Sequence, residues 1–414
     1  MMPSISKPLY VYLQRPDTGE WVTVGRYKTG AAGEGLFRYA PSYVEAGLAW
    51  AIDPKNLAFL PDTDVTAPRY QGLHDVLRDA APDAWGQALL RREHNLPENA
   101  PPLQYIIKTS NVDRWGALAV GSGLKPPDAK INNPGLPQLD EVVEELAALA
   151  ERRPTVRAKI RSRLIRTAGV GGARPKATVQ GDKGQFWLVK PELASDVANI
   201  PLLEHVGQQW GAASGLHFAA TVYHPAAGGR SAVRVLRFDR SDRRRHMCVS
   251  AASLLQAEYP GLPQTDRWSY PRLAEELRLA GAPVEDRIEL FGRMVFNAVC
   301  GNDDDHVRNH AIVYNAGERC WRLAPAFDVV PNPVETPGRL HMQLSLGRFD
   351  ISREAVLADA HRFGFTGQAE AASYLDALLE RITGAFDGVA HRLDDDWRQL
   401  LHQRLAHNIG VLGR

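Results

Sequence analysis

The residues of this chain best suited to chemistry lie in Gly301-Asn302-Asp303-Asp304-Asp305-His306-Val307-Arg308-Asn309-His310 and in the later Ala326-Phe327-Asp328. A carboxylate at Asp304 can take a proton from an attacking hydroxyl. An amide oxygen at Asn309 and a second carboxylate at Asp328 can hold a metal ion, and that division of labour is the one phosphoryl transfer uses. Between them, Ala311-Ile312-Val313-Tyr314 and Cys320-Trp321-Arg322-Leu323 read as two short strands joined by the turn residues Asn315-Ala316-Gly317-Glu318. A loop, a hairpin and a carboxylate just beyond the hairpin let three oxygen-bearing side chains converge on one Mg²⁺–phosphate cluster.

A run of Asp is by itself often only a solvated turn. This one is set between packed elements. Ile288, Phe291, Val295 and Val299 recur at helical spacing just before it, Pro283 opens that helix and Gly301 ends it. The D-x-x-x-x-N spacing of Asp304 and Asn309 is that of a protein-kinase catalytic loop.

With 414 residues, the chain has room for two or three domains and a substantial core. Net charge is +1, which neither demands nor excludes a nucleic-acid partner. The amino terminus has no long apolar stretch and no run approaches a membrane span, so neither a signal peptide nor a membrane partner is expected. Cys248, Cys300 and Cys320 lack the spacing of a zinc site or a disulfide framework. A reduced, cytoplasmic location is the expectation.

Leu9–Leu13, Trp21–Gly25 and Gly35–Tyr39 read as strands, with a hairpin turn at Asp17-Thr18-Gly19-Glu20. A helical pattern covers 73–95, Tyr105-Ile106-Ile107 adds an apolar patch, and Lys125–Gly135 is the most linker-like stretch. Asp140 is expected to cap a helix running to about Arg152. Residues 156–240 read as strand-rich, with Phe186–Lys190 and Val233–Phe238 clearest, and helices dominate from Ala251 onward, including one near Ala371–Phe386. The expected fold is α+β and protein-kinase-like with two lobes: an extra amino-terminal subdomain at 1–124, a strand-rich lobe at 125–240 and a mainly helical lobe at 241–414.

Other parts of a phosphoryl-transfer site follow in order. In Gly169-Val170-Gly171-Gly172-Ala173-Arg174-Pro175-Lys176 the glycines let backbone N–H groups approach phosphate, and Arg174 and Lys176 add charge. Its bland reading is a hairpin tip, and it is no Walker A sequence. Lys190 ends the next strand where a phosphate-pairing lysine would stand, with Glu204 a candidate ion-pair partner. Leu236-Arg237-Phe238-Asp239-Arg240 would present backbone to adenine and Asp239 to ribose; a structural Arg–Asp pair is the alternative.

Gly-Gly-Ala-Arg-Pro-Lys (171–176), Arg-Phe-Asp-Arg (237–240), Asn-x-Asp-Asp-His-x-Arg-Asn (302–309) and Ala-Phe-Asp-Val-Val-Pro (326–331) together resemble the HipA family of serine/threonine kinases, toxins of bacterial toxin–antitoxin modules. Gly72–Gly86 and Asp113–Leu118 are similar to segments of that family's first subdomain. The resemblance implies Asp304 as catalytic base, with His306 beside it, Asn309 and Asp328 as Mg²⁺ ligands, and Lys190 on the phosphates of ATP. It places Gly171, Gly172, Ala173 and Lys176 in the nucleotide loop and Leu236, Phe238 and Asp239 at adenine and ribose. It implies a HipB-like helix-turn-helix antitoxin, DNA contact through that partner, and a protein substrate such as an aminoacyl-tRNA synthetase. Gly169 stands where relatives commonly carry a serine whose phosphorylation silences the kinase, so no self-inactivation is expected at 169, with Thr167 and Thr178 nearest by.

Two basic runs, Arg157/Lys159/Arg161/Arg163/Arg166 and Arg240/Arg243/Arg244/Arg245, read as solvated faces or as contacts to phosphate-rich partners. A small-molecule kinase of the aminoglycoside-phosphotransferase type shares the Asp…Asn…Asp logic, and a non-catalytic pseudokinase co-repressor is a second alternative. A metal-dependent hydrolase would need further ligands at helical spacing, and no dinucleotide fingerprint is complete.

Overall fold

The structure is a computed structural model describing residues 8–30, 33–126, 133–166, 174–226, 229–241, 244–259 and 266–413. It is α+β, strand-rich toward the amino terminus and helical toward the carboxy terminus. The chain forms two compact units, each discontinuous: 1–191 with 237–249 and 313–319, and 192–236 with 250–312 and 320–414. The division does not follow the expected boundaries at 124/125 and 240/241. Chain segments return to a unit they have left, and a linear reading of composition cannot register that.

In the first unit, alternating apolar residues build an antiparallel five-stranded sheet. Its strands, in spatial order, are Val65–Ala67, Gly35–Tyr39, Trp21–Thr29, Leu9–Gln14 and Leu118–Gly121. The expected turn forms, with Gly19 at φ +79° and its N–H bonded to Arg15 O. The helical pattern resolves into Asp75–Asp79 and Ala84–His94, and the apolar patch into Pro102–Lys108. Helix Leu139–Ala150 is preceded by a tight turn at Leu136–Gln138, so Gln138 takes the cap position and Asp140 sits in the first turn. There its charge still favours the helix amino end.

Two helices, Ala158–Arg166 and Ile200–Ala213, lie within 156–240, the stretch read as strand-rich. The second carries a start signal that its apolar content obscured: Asn199 accepts from Leu202 N, and Pro201 occupies the first turn. The strands Ala177–Gln180 and Phe186–Pro191 pair as a hairpin in the first unit, and Thr221–His224 pairs with Ala232–Leu236 in the second. Arg237 and Phe238 lie beyond that last strand.

The core of the second unit is the helix Val284–Cys300, whose last eleven residues are all buried. Phe296 packs edge-on against Trp210 and Phe218, and Trp210 also meets Phe386 of helix Gln368–Ala390 while its indole N–H donates to Ile382 O. The helix stops inside the protein, so its terminal carbonyls need partners. Gly301 turns the chain at φ +74°, and its N–H and that of Asn302 both donate to Asn297 O. The final helix, Asp395–Leu412, supplies the rest. Asn408 donates to Ala298 O and Val299 O, and Arg404 donates to Cys300 O, Asn332 O and Glu335 O.

Arg404→Met keeps the length of the side chain but strands three carbonyls. It is expected to cost on the order of 3 kcal/mol or more and to lower the urea midpoint clearly. Gly301→Ala forces a positive φ and sets a Cβ 2.7 Å from Arg404 Cδ, and it is expected to destabilise as well. An unchanged urea midpoint for Arg404→Met would remove the clamp from this account.

Candidate active site

All of Asp303–His310, Asp328 and their packing partners belong to the second unit. The loop is fixed at the backbone. Ala251 N donates to His310 O, Ala252 N to Val307 O, and Asn309 N to His306 O. Within this frame three consecutive aspartates have three different environments.

Asp303 is tied down, with both oxygens accepting from Asn332 Nδ2 at 3.1 and 3.2 Å. Asp304 projects outward, its side chain 74% exposed. Asp305 points inward and is 1% exposed; its Oδ1 accepts from His341 N at 2.7 Å. Burial drives the Asp305 carboxyl up to about 8, although Tyr270 and the His341 and Met342 N–H groups pull the other way.

Asp304 is thus the member of the run open to an incoming hydroxyl. The protein crowded around it, then Asp328 and Asp303, push its carboxyl above the ordinary value, and His306 opposes them. His306 Nε2 lies 3.9 Å from Asp304 Oδ1 and 2.9 Å from the Tyr259 hydroxyl, while its Nδ1 accepts from Arg308 N. Burial pushes this imidazole below its ordinary value, with Asp304 and Asp328 pulling upward. Sequence reasoning missed Tyr259, and it missed His341, whose Nδ1 stands 3.7 Å from Asp304 Oδ1. Neither has a spacing relation to the loop that would have exposed it.

The candidate metal ligands are placed with care. Asn309 is 7% exposed and donates its Nδ2 to Asp304 O at 2.8 Å, leaving its amide oxygen for a cation. Asp328 sits at φ +60°, a conformation that Asp tolerates better than most residues. It is held from both sides. With its amide turned to satisfy both neighbours, Gln208 donates to Ala326 O and accepts from Asp328 N, each at 3.1 Å. Ala326 N donates to His217 O and Ala219 N to Ala326 O. An amide oxygen and a carboxylate are hard donors of the kind Mg²⁺ takes alongside phosphate and water. Among the described residues, no group of three or more His, Cys, Asp or Glu side chains gathers as a protein-only metal cage.

Beneath the loop lies a small recess in which Asn297, Asn302, Asp305, Asn309 and His310 meet the apolar Phe218, Phe327 and Val329. Asn302 Oδ1, Asp305 Oδ2 and His310 Nε2 are buried there without hydrogen-bond partners.

The remaining expected site residues lie in the first unit, except Leu236, which is half-buried in the second. Gly171, Gly172 and Ala173, with Thr167 and Gly169, fall outside the described residues. Lys176 and Lys190 are 8% and 4% exposed, so Lys190 is no ordinary strand-end lysine. Glu204 is buried in the second unit. Phe238 packs its ring against Trp115. Asp239 corrects the expectation of a ribose contact: it is 2% exposed and both oxygens are occupied, by Arg237, Arg240 and Gly116 N. Burial would raise that carboxyl, but the two arginines outweigh it and hold it below the ordinary value. Arg237 also pairs with Asp113 and donates to Thr178 Oγ1. Thr178 is fully buried, so it offers no phosphorylation site.

The basic runs resolve differently. Arg161 pairs with Glu145 and Arg157 with Glu141, on a helix that keeps Lys159 exposed. Arg240 and Arg245 are 6% and 1% exposed and so take no part in a solvated or phosphate-binding face, whereas Arg244 is exposed. Arg243 lies outside the described residues.

The family model of the HipA-like C-terminal domain matches residues 168–388. Among solved structures, the chain resembles one of the Shewanella oneidensis MR-1 toxin–antitoxin system HipA, HipB and its operator DNA complex. The TM-score there is 0.72 at 17% identity, over 98% of this chain and 97% of that one. The Helicobacter pylori proinflammatory kinase CtkA matches with a TM-score of 0.42 and 12% identity, over 57% of this chain and 90% of that one. No curated protein matches the sequence. Among the described residues, no helix is long and apolar enough to cross a membrane.

An Asp305 that holds its proton when folded but loses it when unfolded makes stability depend on pH. Its contribution is full below the ordinary value of 3.8 and is lost progressively as pH rises to about 8. Asp305→Asn keeps an oxygen for His341 N and puts N–H groups toward the recess. The variant is expected to match wild type near pH 4 and to melt at a higher temperature near pH 8, as read by thermal unfolding across that range.

Proposed function

Because this chain belongs to the HipA family, we propose that it is an ATP- and Mg²⁺-dependent protein serine/threonine kinase, the toxin of a toxin–antitoxin module. The observation that carries the reading is the division of roles in one loop. Asp304 is open to a substrate hydroxyl, while Asn309 is fixed through its Nδ2 on Asp304 O and Asp328 through its backbone N–H on Gln208, one amide and one carboxylate set about the same loop.

In this scheme Mg-ATP supplies the transferable phosphoryl group and a charged leaving group. Asp304 orients the attacking hydroxyl and receives its proton as the new O–P bond forms and the bond to the leaving oxygen breaks. Asn309 and Asp328 would hold the cation, and His306, fixed by Arg308 N and Tyr259, stands beside Asp304. Lys190 and Lys176 are assigned to phosphate by the family resemblance. Leu236 and Phe238 remain assigned to adenine on the same ground.

The HipA and HipB named together in the Shewanella complex support a HipB-like helix-turn-helix antitoxin as partner, with operator DNA reached through it. A translation protein such as an aminoacyl-tRNA synthetase is the proposed substrate, and the cytoplasm the proposed location.

Asp304→Asn is expected to reduce phosphoryl transfer about 10²- to 10⁴-fold with the melting temperature unchanged, because the side chain is exposed. Transfer at the wild-type rate would end the assignment. Labelled ATP incubated with lysate should mark a macromolecule; label in a small metabolite would favour the aminoglycoside-phosphotransferase type, and tight Mg-ATP binding without turnover a pseudokinase. Phosphosite mapping after incubation with Mg-ATP is expected to find Thr178 unmodified.

A further inference from the structure

Two imidazoles face Asp304, and they are committed differently. Both ring nitrogens of His306 are engaged, Nδ1 by Arg308 N and Nε2 by the Tyr259 hydroxyl. His341 is held through its backbone, whose N–H donates to Asp305 Oδ1 at 2.7 Å, so the residue next to the base fixes its position. Its ring is 39% exposed, yet its Nδ1 is buried, has no hydrogen-bond partner and stands 3.7 Å from Asp304 Oδ1.

That separation is longer than an N–H···O bond of about 2.7–3.2 Å. Catalytic hydrogen bonds are often long before substrate arrives and tighten in the working complex. Burial, with help from Arg339, pushes the His341 imidazole below its ordinary value against the pull of Asp303. Near pH 7 the ring is therefore neutral, with one N–H to give.

We propose that His341 is a positioning residue for the base: its Nδ1–H donates to one oxygen of Asp304 and leaves the other to take the substrate proton. The proposal rests on the kinase reading above. A carboxylate on a flexible side chain presents either oxygen in many orientations. A donor fixed through the backbone beside Asp305 selects one orientation, and being neutral it does so without stabilising the anion enough to spoil it as a base.

The test uses the full-length chain. His341→Phe keeps a flat ring and removes the donor; kcat is expected to fall about 10- to 100-fold, the loss of one hydrogen bond to a charged group, with the KM for ATP unchanged. His341→Asn places an amide N–H where Nδ1 stood and is expected to recover most of the rate. A purely structural role would give neither the kcat–KM split nor rescue by Asn. In the Asp304→Ala background, His341→Phe should cause no further loss. Independently of activity, nitrogen-15 NMR of the imidazoles should show His341 carrying its proton on Nδ1, with that signal moved by Asp304→Ala. Wild-type kcat in a folded His341→Phe protein, or an Nδ1 signal indifferent to Asp304→Ala, overturns the proposal. A wild-type protein that transfers no phosphate defeats the kinase reading instead, and the NMR result then decides the His341–Asp304 contact by itself.

Discussion

The buried end of helix Val284–Cys300 is the constraint from which the site follows. A helix that stops in the protein interior leaves carbonyls that water cannot reach, and each must find a donor. Asn408 and Arg404, more than 100 residues later, provide them, while Gly301 allows the chain to turn without strain. The same guanidinium reaches Asn332 O, and Asn332 in turn holds Asp303. One clamp therefore fixes both the end of the helix and the start of the acidic loop. Asp304 can stand exposed because its neighbours on either side are not free to move.

Burying charge demands compensation, and the chain meets that demand in two ways. Asp239, Asp113, Arg237 and Arg240 form a network in which opposite charges satisfy one another, and Arg114 donates to Ala80 O, Ile106 O and Thr109 O. This explains why the segments Asp113–Leu118 and Arg237–Arg240 both stood out in the sequence: in the first unit they are each other's partners. Asp305 is instead pushed up to about 8 by burial and keeps its proton near neutral pH. Both devices fix a segment of chain, and the second makes its stability fall as pH rises toward the Asp305 value.

Local patterns were legible where a local cause operates. Gly35–Tyr39, Cys320–Leu323 and the helix ending at Gly301 follow from alternation, turn residues and 3.6-residue spacing, all of which act over a few positions. The Asp304, Asn309 and Asp328 pattern was legible for a different reason, since its spacing is tied to one chemistry. What escaped depends on contacts distant in sequence. Nothing in Asp303-Asp304-Asp305 says which member is tied, open or buried; that is settled by Asn332 and His341. Nor could Arg240 and Arg245 be separated from surface arginines by counting charges. Asp239 is the instructive case, because both readings of it were chemically sound and only its neighbours, Gly116 among them, decide that it is structural.

On the kinase function proposed above, the electrostatics of Asp304 suit a base that works by position rather than strength. In phosphoryl transfer through a loose transition state, little bond formation precedes departure of the leaving group, so the hydroxyl proton is not acidic until late. A strongly basic group has little to act on early, and what helps is a fixed acceptor when the proton finally moves. Crowding and the carboxylates of Asp328 and Asp303 raise the affinity of Asp304 for that proton, and bound cations would offset Asp328 most directly. A neutral His341 with its Nδ1 at 3.7 Å would then restrain the carboxylate without removing its negative charge. Histidine suits this duty better than arginine, whose permanent charge would hold the carboxylate as a salt bridge and lower its proton affinity. Arg293 and Arg404, on the helices that support the loop, donate to carbonyl oxygens of Ala324 and Cys300.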